Sequence, residues 1–353
     1  MVKYVPFLKL KQGEIFAVKE LRDDIRTQIT PFFDFARREN QQDGDFLASL
    51  GRDMTSVERN LSDVRELYLD NFDIVDREIG GIDSYQLILA ECPLEKTIPV
   101  VGIDRSLAHN NAVVTARTDF GLTSDTVALR VLPDDFQDFY AVEDELSELL
   151  NNILAYFDRI DLVFDCRVCR ELNAVVVGAR INEFWERFGE HYPIRKVIVT
   201  GSSIPASIAE IVPVNSMSNV VRNELAIHQG VDQSAGFGEL FIGDYSVVSP
   251  NYSDVDIEPE ILLNIMAPKM LYTYEGHHYC IRGGALRTHP REYSQYNDFS
   301  EIIVNQPFYR GAAYSFGDQF IADKANGLGA RVTPSTVLRP TINAHVTYMW
   351  DLP

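Results

Sequence analysis

Short apolar runs alternate with longer helical patterns along most of this chain. Eight such runs stand out, and their length and composition predict strands. They cover residues 5–9, 30–35, 97–104, 125–132, 161–166, 196–202, 239–246 and 269–274. The last run could pair with residues 279–282 across the turn at Glu275-Gly276. Neighbouring strands that are separated by helices run parallel, because a parallel connection needs a crossover of a dozen or more residues. The order of the runs therefore predicts a parallel sheet.

Most of these runs are apolar almost throughout, which is typical of strands that are covered on both faces. A count of eight favours closure into a single (β/α)8 barrel of the TIM type, and an open doubly wound sheet is the alternative. With 353 residues and 46% hydrophobic side chains, the chain is long enough to bury such a core. We expect the α/β barrel to span residues 1–290. Residues 291–353 should form a C-terminal extension, helical and then irregular, packed on the barrel.

The charge balance limits the partners that we expect. Asp and Glu number 52 against 32 Lys and Arg, which gives a net charge of −20. Proteins that bind duplex nucleic acid over a broad surface usually present a basic face to the phosphates. A duplex-binding protein is therefore disfavoured. The N-terminus has no apolar signal segment, and no run of 18 apolar residues indicates a membrane helix. We therefore expect a cytoplasmic protein.

The four cysteines show no framework spacing. Cys166 and Cys169 form a C-x-x-C pair, and His277, His278 and Cys280 lie far away in the sequence. A structural zinc site normally has a second close pair of ligands, which is missing here. Buried, inert thiols are the favoured interpretation.

In barrels of this type the functional site is built at the carboxyl ends of the strands. Charged side chains are frequent at these ends and carry both signs. The candidate catalytic acids are Asp34, Asp165 and Asp244, and Asp104 joins these three as a candidate metal ligand. The candidate ligand-binding residues are Lys9, Lys11, Arg105, Arg130, Arg167, Tyr245 and Arg282. We expect Lys9, Asp34, Arg130, Asp165 and Asp244 to share one cleft.

Carboxylates that converge in such a cleft can hold a divalent cation such as Mg²⁺ or Mn²⁺. The basic side chains can bind phosphate or carboxylate groups, arginine in bidentate fashion. Together they would suit a metal-dependent hydrolase of the phosphodiesterase type, acting on an anionic small molecule or nucleotide. The alternative is that the charges pair with one another in a structural network. The chain lacks the P-loop, dinucleotide-binding, zinc-protease and nucleophile-elbow motifs.

Four segments carry a resemblance to a known family. They read YVPFLKLKQGE at residues 4–14, VRNELAIH at 221–228, FIGDYSVVSP at 241–250 and YSFGDQFIADKANG at 314–327. In this order and spacing they resemble the beta protein family, which is named after a phage T4 protein. The resemblance implies a barrel fold and an association with bacterial anti-phage defence loci, beside nuclease-like proteins. The C-terminal segment departs from the family pattern, with Asn343-Ala344-His345 where the family tends to have a histidine pair.

Two hypotheses of function follow from the sequence. The first is an enzyme that acts on an anionic, phosphorylated compound at the mixed-charge rim. The second is a non-catalytic partner that binds or restrains a nuclease-like protein. The enzyme requires Asp34, Asp104, Asp165 and Asp244 to converge within reach of one metal ion, whereas the partner does not.

Overall fold

The structure is a computed structural model, and it describes residues 3–38, 41–74, 77–232, 236–252 and 266–352. Among these residues no helix has the length and apolar character that a bilayer crossing requires.

Within the described ranges the strands are β1 (Tyr4–Lys9), β2 (Phe32–Asp34), β3 (Leu67–Asp70), β4 (Glu78–Ile79), β5 (Ile82–Asp83), β6 (Thr97–Val101), β7 (Thr126–Val131), β8 (Arg159–Val168), β9 (Ile194–Ser202), β10 (Ser216–Val221), β11 (Glu239–Asp244), β12 (Lys269–Tyr274) and β13 (His277–Arg282). The helices are α1 (Gln12–Lys19), α2 (Asp23–Arg26), α3 (Asp43–Asn60), α4 (Ser84–Glu91), α5 (Leu107–Thr115), α6 (Phe139–Ile153), α7 (Ala174–Gly189), α8 (Asn223–Gln229), α9 (Gln295–Val304), α10 (Phe316–Ala325) and α11 (Leu338–Trp350).

Eight parallel strands close into a barrel, which confirms the predicted fold class. In chain order they are β1, β2, β3, β6, β7, β8, β9 and β11, and β11 pairs with β1 to complete the ring. Crossover helices connect most of them, as parallel neighbours require.

The predicted set of strands was wrong in two places. β3, a barrel strand of four residues, was not recognised. β12 was taken as the eighth barrel strand, with residues 279–282 as a partner across the turn at Glu275-Gly276. The hairpin with this partner, β13, is present, but β12 is not part of the barrel. Since β13 also pairs with β10, these strands make a separate three-stranded sheet beside the barrel. The short turn after β12 permits only an antiparallel pair with β13, whereas neighbouring parallel strands need a crossover connection.

Alternation along the strands divides the core into two parts. Successive side chains point to opposite faces of a strand, so one set fills the barrel and the other meets the helices. The interior set is Val5, Phe7, Phe32, Tyr68, Ile98, Val100, Ala128, Val163, Ile198 and Tyr245. A larger cluster joins the outer faces of the strands to the helices. Burial of each large apolar side chain contributes about 1.5–3 kcal/mol to stability.

Several helices begin at a residue whose side chain caps the exposed backbone amides. Asn173 accepts hydrogen bonds from the amides of Val175 and Val176 at the start of α7. Asp138 caps α6 in the same way, and Ser315 caps α10. Such caps contribute about 1 kcal/mol each and fix where the chain enters the helix.

The C-terminal helix α11 packs against α1 and β12. Two ion pairs join this part of the chain to the first βα unit: Arg22 with Asp351, and Arg339 with Glu20. As a result, α11 forms a layer that covers the outer side of β1 and places His345 against the barrel.

Candidate functional site

The carboxyl ends of β1, β2 and β3 present charged side chains in one layer. The strand register sets Lys9 beside Asp34 and Asp34 beside Asp70. Each of these residues lies two positions after a side chain that faces the barrel interior (Phe7, Phe32 and Tyr68). Side chains two positions apart lie on the same face of a strand. All three therefore point into the carboxyl-terminal opening of the barrel, which we call the mouth. All three are buried.

Arg130, from β7, lies at the centre of this layer and is fully buried. One of its terminal nitrogens is 2.7 Å from both Asp34 Oδ1 and Asp70 Oδ2. The other is 2.6 Å from Asp165 Oδ2 and 2.8 Å from the Tyr245 hydroxyl. Burial alone would raise the pKa of Asp34 and Asp165, but Arg130 outweighs it and holds both pKa values below their usual range. Asp34 and Asp165 are therefore ionised at neutral pH.

Two further basic residues extend the network outward. Lys9 Nζ is 3.2 Å from Asp34 and 2.7 Å from Asp73. Arg105 bridges Asp70 and the exposed Asp104, each at 2.9 Å. These contacts make one continuous chain of ion pairs around the mouth.

Arg167 reaches the mouth from an irregular part of β8. The pairing of β8 with β9 shifts register between Asp165 and Val168, and Arg167 has a φ of 51°. Its guanidinium donates to the Tyr245 hydroxyl at 3.0 Å and to Asn251 at the same distance. The side chain remains 17% exposed.

Two aromatic rings cover the basic groups. The guanidinium carbons of Arg105, Arg130 and Arg167 lie 4.7, 4.3 and 4.2 Å from the centre of the Phe72 ring. The stacking of these planar cations on the ring adds a favourable cation–π contact. On the other side of the mouth, Tyr252 donates a hydrogen bond to Asp73 at 2.7 Å.

The Tyr252 ring is surrounded by basic side chains. Lys9, Lys11 and Arg37 lie 5.4, 5.3 and 4.8 Å from its centre. Lys11 is exposed, so its ammonium group faces solvent at the edge of the mouth.

The structure brings most of the predicted site residues together. Lys9, Asp34, Asp104, Arg105, Arg130, Asp165, Arg167 and Tyr245 share the ion-pair network, and Lys11 lies at its edge. Arg282 does not take part, because it lies on β13 and donates to the carbonyl of Val212 at 2.9 Å. Asp244 is also absent from the mouth, which contradicts the expected shared cleft.

Asp244 lies on the outer face of the barrel, where α8 and α11 cover it. Its neighbour Tyr245 points inward, so Asp244 must point outward. Its carboxylate accepts hydrogen bonds from Tyr4 at 2.7 Å, Arg222 at 2.7 Å and His345 at 2.9 Å. Burial would raise its pKa, but His345 and Arg222 hold the pKa well below its usual range.

A chain of hydrogen bonds continues from Asp244 through the outer layer. His345 Nε2 faces the carboxylate, so this nitrogen carries a proton, and Nδ1 faces the Thr273 hydroxyl at 2.7 Å. His278 Nδ1 contacts the same hydroxyl at 3.0 Å. Burial lowers the pKa of both histidines, that of His278 to about 4. With both rings neutral, Thr273 donates to His345 and accepts from His278.

The acids predicted as metal ligands do not fit that role. Asp34 and Asp165 both bind Arg130, Asp104 binds Arg105, and Asp244 lies in the outer layer. Nowhere in the described ranges do three or more His, Cys, Asp or Glu side chains form a group that could hold a metal ion. A divalent cation at the mouth would have to displace a guanidinium from its carboxylates.

Sequence reasoning missed Asp70, Phe72, Asp73 and Tyr252. Asp70 ends an apolar run, LYLD, just as Asp34 ends FFD, so the pattern was present in the sequence. Phe72 and Asp73 follow directly in the loop after this strand. No comparable pattern marks Tyr252, since it reaches the mouth from a loop after β11.

Glu14 lies next to the mouth and has an unusual environment. It is buried, and its carboxylate accepts a hydrogen bond from the backbone amide of Lys9. Burial raises its pKa from 4.5 to about 7. The contribution of Glu14 to stability therefore becomes less favourable as the pH rises from 4.5 to 7, because the folded state holds a proton that the unfolded state releases.

Glu14→Gln removes this titration and keeps an oxygen that accepts from Lys9. We expect the variant to gain up to about 3 kcal/mol of stability relative to the parent between pH 4.5 and pH 8. Urea unfolding across this range measures the difference, with the exposed Glu58→Gln as the control. A difference that does not change with pH would contradict the raised pKa of Glu14.

The cysteines match the prediction of buried thiols, since all four are free and buried. Burial raises the pKa of Cys166 and Cys169 well above the usual range. Both thiols are thus held in the protonated, unreactive form.

Comparison with known proteins places the chain in a family. No curated protein gives a significant match. The sequence profile of the family described as Beta protein matches residues 4–351, which is nearly the whole chain and includes every residue of the mouth network. The chain therefore belongs to the beta protein family.

Proposed function

We propose that the barrel mouth binds a small anionic ligand that carries a phosphate group, such as a nucleotide. The observation that carries this proposal is the conformation of Arg167. Its φ of 51° lies in the left-handed region, which costs a residue other than glycine roughly 1–2 kcal/mol. Strain of this kind persists where it serves a purpose, and it clusters at ligand sites. Here it holds a partly exposed guanidinium over the mouth.

The electrostatics of the mouth support an anionic ligand. Its ion pairs and ring contacts involve six basic side chains (Lys9, Lys11, Arg37, Arg105, Arg130, Arg167) and five carboxylates (Asp34, Asp70, Asp73, Asp104, Asp165). In a chain of net charge −20, this is a local region of positive balance. The buried ion pairs beneath hold the outer cations in place, so binding needs little rearrangement.

The geometry favours binding over metal-assisted hydrolysis. Each of the five carboxylates at the mouth already contacts a cation, so a metal ion there would have to compete with these ion pairs. This observation also supports the second candidate function, a non-catalytic partner of a nuclease-like protein. In that case the ligand at the mouth would control binding to the nuclease-like protein. The role in anti-phage defence, the cytoplasmic location and the boundary at residue 290 remain predictions from the sequence.

Calorimetric titration with inorganic pyrophosphate tests the proposal. Arg167→Gln removes one charged hydrogen-bond donor, which corresponds to about 1.5–3 kcal/mol of binding free energy. We expect its affinity to fall by roughly tenfold or more. Lys11→Gln should also weaken binding, and because Lys11 is exposed the fold will tolerate the change.

Arg159→Gln is the matched control. Arg159 lies at the opposite end of the same strand, and it pairs with Asp125 on the surface. Its affinity for pyrophosphate should equal that of the parent. The proposal fails if folded Arg167→Gln and Lys11→Gln proteins, verified by thermal melting, bind pyrophosphate as tightly as the parent.

A further inference from the structure

A cleft of about 640 Å³ opens at the amino-terminal end of the barrel, opposite the mouth. Lys3, Arg65, Lys196, Phe241 and Trp350 are among the residues that line it. Lys3, Arg65 and Lys196 all come from the starts of barrel strands or the residues just before them. The volume lies within the usual range for small-molecule sites.

The carboxylates around this cleft are already paired. Arg195 donates to Asp161 at 2.9 Å and to Glu66 at 2.9 Å. Glu239 pairs with Lys3 at 3.3 Å. Arg195 therefore neutralises the buried acid, and it competes with Lys196 for Glu66.

Among the described residues of the cleft, one cation has no acidic partner and a second has only a long ion pair. Within the described part of the chain, the exposed Arg65 makes no hydrogen bond or ion pair. The nearest acidic oxygen to Lys196 Nζ is that of Glu66, at 3.8 Å, which is too far for a hydrogen bond. Lys196 Nζ instead lies 5.1 and 5.9 Å from the ring centres of Phe241 and Tyr68. The Lys196 side chain is 14% exposed and lines the cleft, so a ligand there can contact it.

We propose that this cleft is a second binding site, separate from the mouth, for a small molecule that joins a planar ring to a phosphate or carboxylate group. Arg65 presents a free planar guanidinium, which binds such anions in bidentate fashion. Phe241 and Trp350 offer aromatic surface to the planar ring. Lys196 supplies a second cation beneath them.

The surroundings of Lys196 also give it a distinct reactivity. Burial lowers the pKa of its amine, so the fraction in the neutral, nucleophilic form is larger than for an exposed lysine. A ring compound with both a phosphate and an aldehyde group therefore reports on the whole site, since it needs the anion contact and the amine together.

Pyridoxal 5′-phosphate is such a probe. The neutral amine of Lys196 attacks the aldehyde carbon, water leaves and a C=N bond forms. Borohydride then delivers a hydride to this carbon, and a proton from water completes a stable secondary amine. Peptide mass spectrometry identifies the modified lysine in the full-length protein.

We expect saturable labelling of Lys196, well ahead of the exposed Lys11 and Lys19. Arg65→Gln should raise the half-saturating probe concentration roughly tenfold, because it removes a charged donor. The exposed helical residue Arg59 is the matched control, and Arg59→Gln should leave labelling unchanged. Lys196→Arg should abolish the saturable product.

The proposal is overturned if Lys196 reacts no faster than the exposed lysines, or if Arg65→Gln labels like the parent. Lys11→Gln separates this site from the mouth. Its labelling of Lys196 should match that of the parent, and a strong loss would instead assign the bound probe to the mouth. Because pyrophosphate binding at the mouth is measured separately, either site can fail without the other.

Discussion

Replacing Arg130 with methionine is expected to destabilise the fold by at least about 3–5 kcal/mol, since removal of one partner leaves buried charges uncompensated. Arg130 is fully buried and contacts Asp34, Asp70 and Asp165 within 2.7 Å. A typical domain has only about 5–15 kcal/mol of stability, so the loss should be large in a urea unfolding curve. Arg159→Met, on the surface, should cost about 1 kcal/mol or less.

The pH dependence identifies the cause of this loss. Without Arg130, burial should raise the pKa of Asp34 and Asp165 above the unfolded values. The variant then gains stability as the pH falls towards 4, because the folded state takes up protons first. We expect the difference in unfolding free energy between parent and variant to become smaller as the pH falls towards 4. A variant with parental stability at pH 7 would show that the mouth is hydrated and its charges screened.

Asp244→Asn should have an effect of similar size, about 3–5 kcal/mol. Asparagine keeps the size of the side chain but removes the charge that compensates buried Arg222. The amide can also no longer accept from Tyr4, Arg222 and His345 together, as the carboxylate does. A sharp drop in melting temperature is therefore expected, with exposed Asp144→Asn as the control.

This penalty should stay constant between pH 5 and pH 8. The pKa of Asp244 is depressed in the folded protein, so its contribution is complete above the unfolded value near 3.8 and is lost only at lower pH. A parental melting temperature for Asp244→Asn would contradict the buried network. Asp244 would then be a solvated acid that could take part in a functional site.

Hydrophobic periodicity was enough to predict the barrel but not the identity of every strand. β3 has four residues, and it lies in a long stretch whose longer segments are helical. β12 has the apolar character of a barrel strand, because its side chains are buried on both faces of the strand. The turn at Glu275-Gly276 and the partner at residues 279–282 distinguish the two cases, because a tight turn joins antiparallel strands.

The predicted clustering of charged side chains is present where the alternation of side chains along each strand was taken into account. Lys9, Asp34, Arg130 and Asp165 occupy interior-facing positions at strand ends, and the structure brings them together. Asp244 and Tyr245 are adjacent, so they cannot both face the interior of one strand. The alternation of side chains along the strand would by itself have excluded Asp244 from the mouth.

The partners of Asp244 could not be predicted from local patterns. Arg222 and His345 lie 22 and 101 residues away in the sequence. They meet Asp244 only because α8 and α11 pack on the outer face of the barrel. Such contacts depend on tertiary packing, which a periodic pattern in one segment does not encode.

Anomalous diffraction from a crystal soaked in tungstate, a heavy-atom analogue of phosphate, tests the central claim most directly, because it locates the anion. We predict a peak at the barrel mouth, within hydrogen-bond distance of the Arg167 guanidinium or the Lys11 amine, that disappears in Arg167→Gln crystals. The absence of tungstate from both side chains at saturating concentration would contradict the claim that the mouth is an anion site.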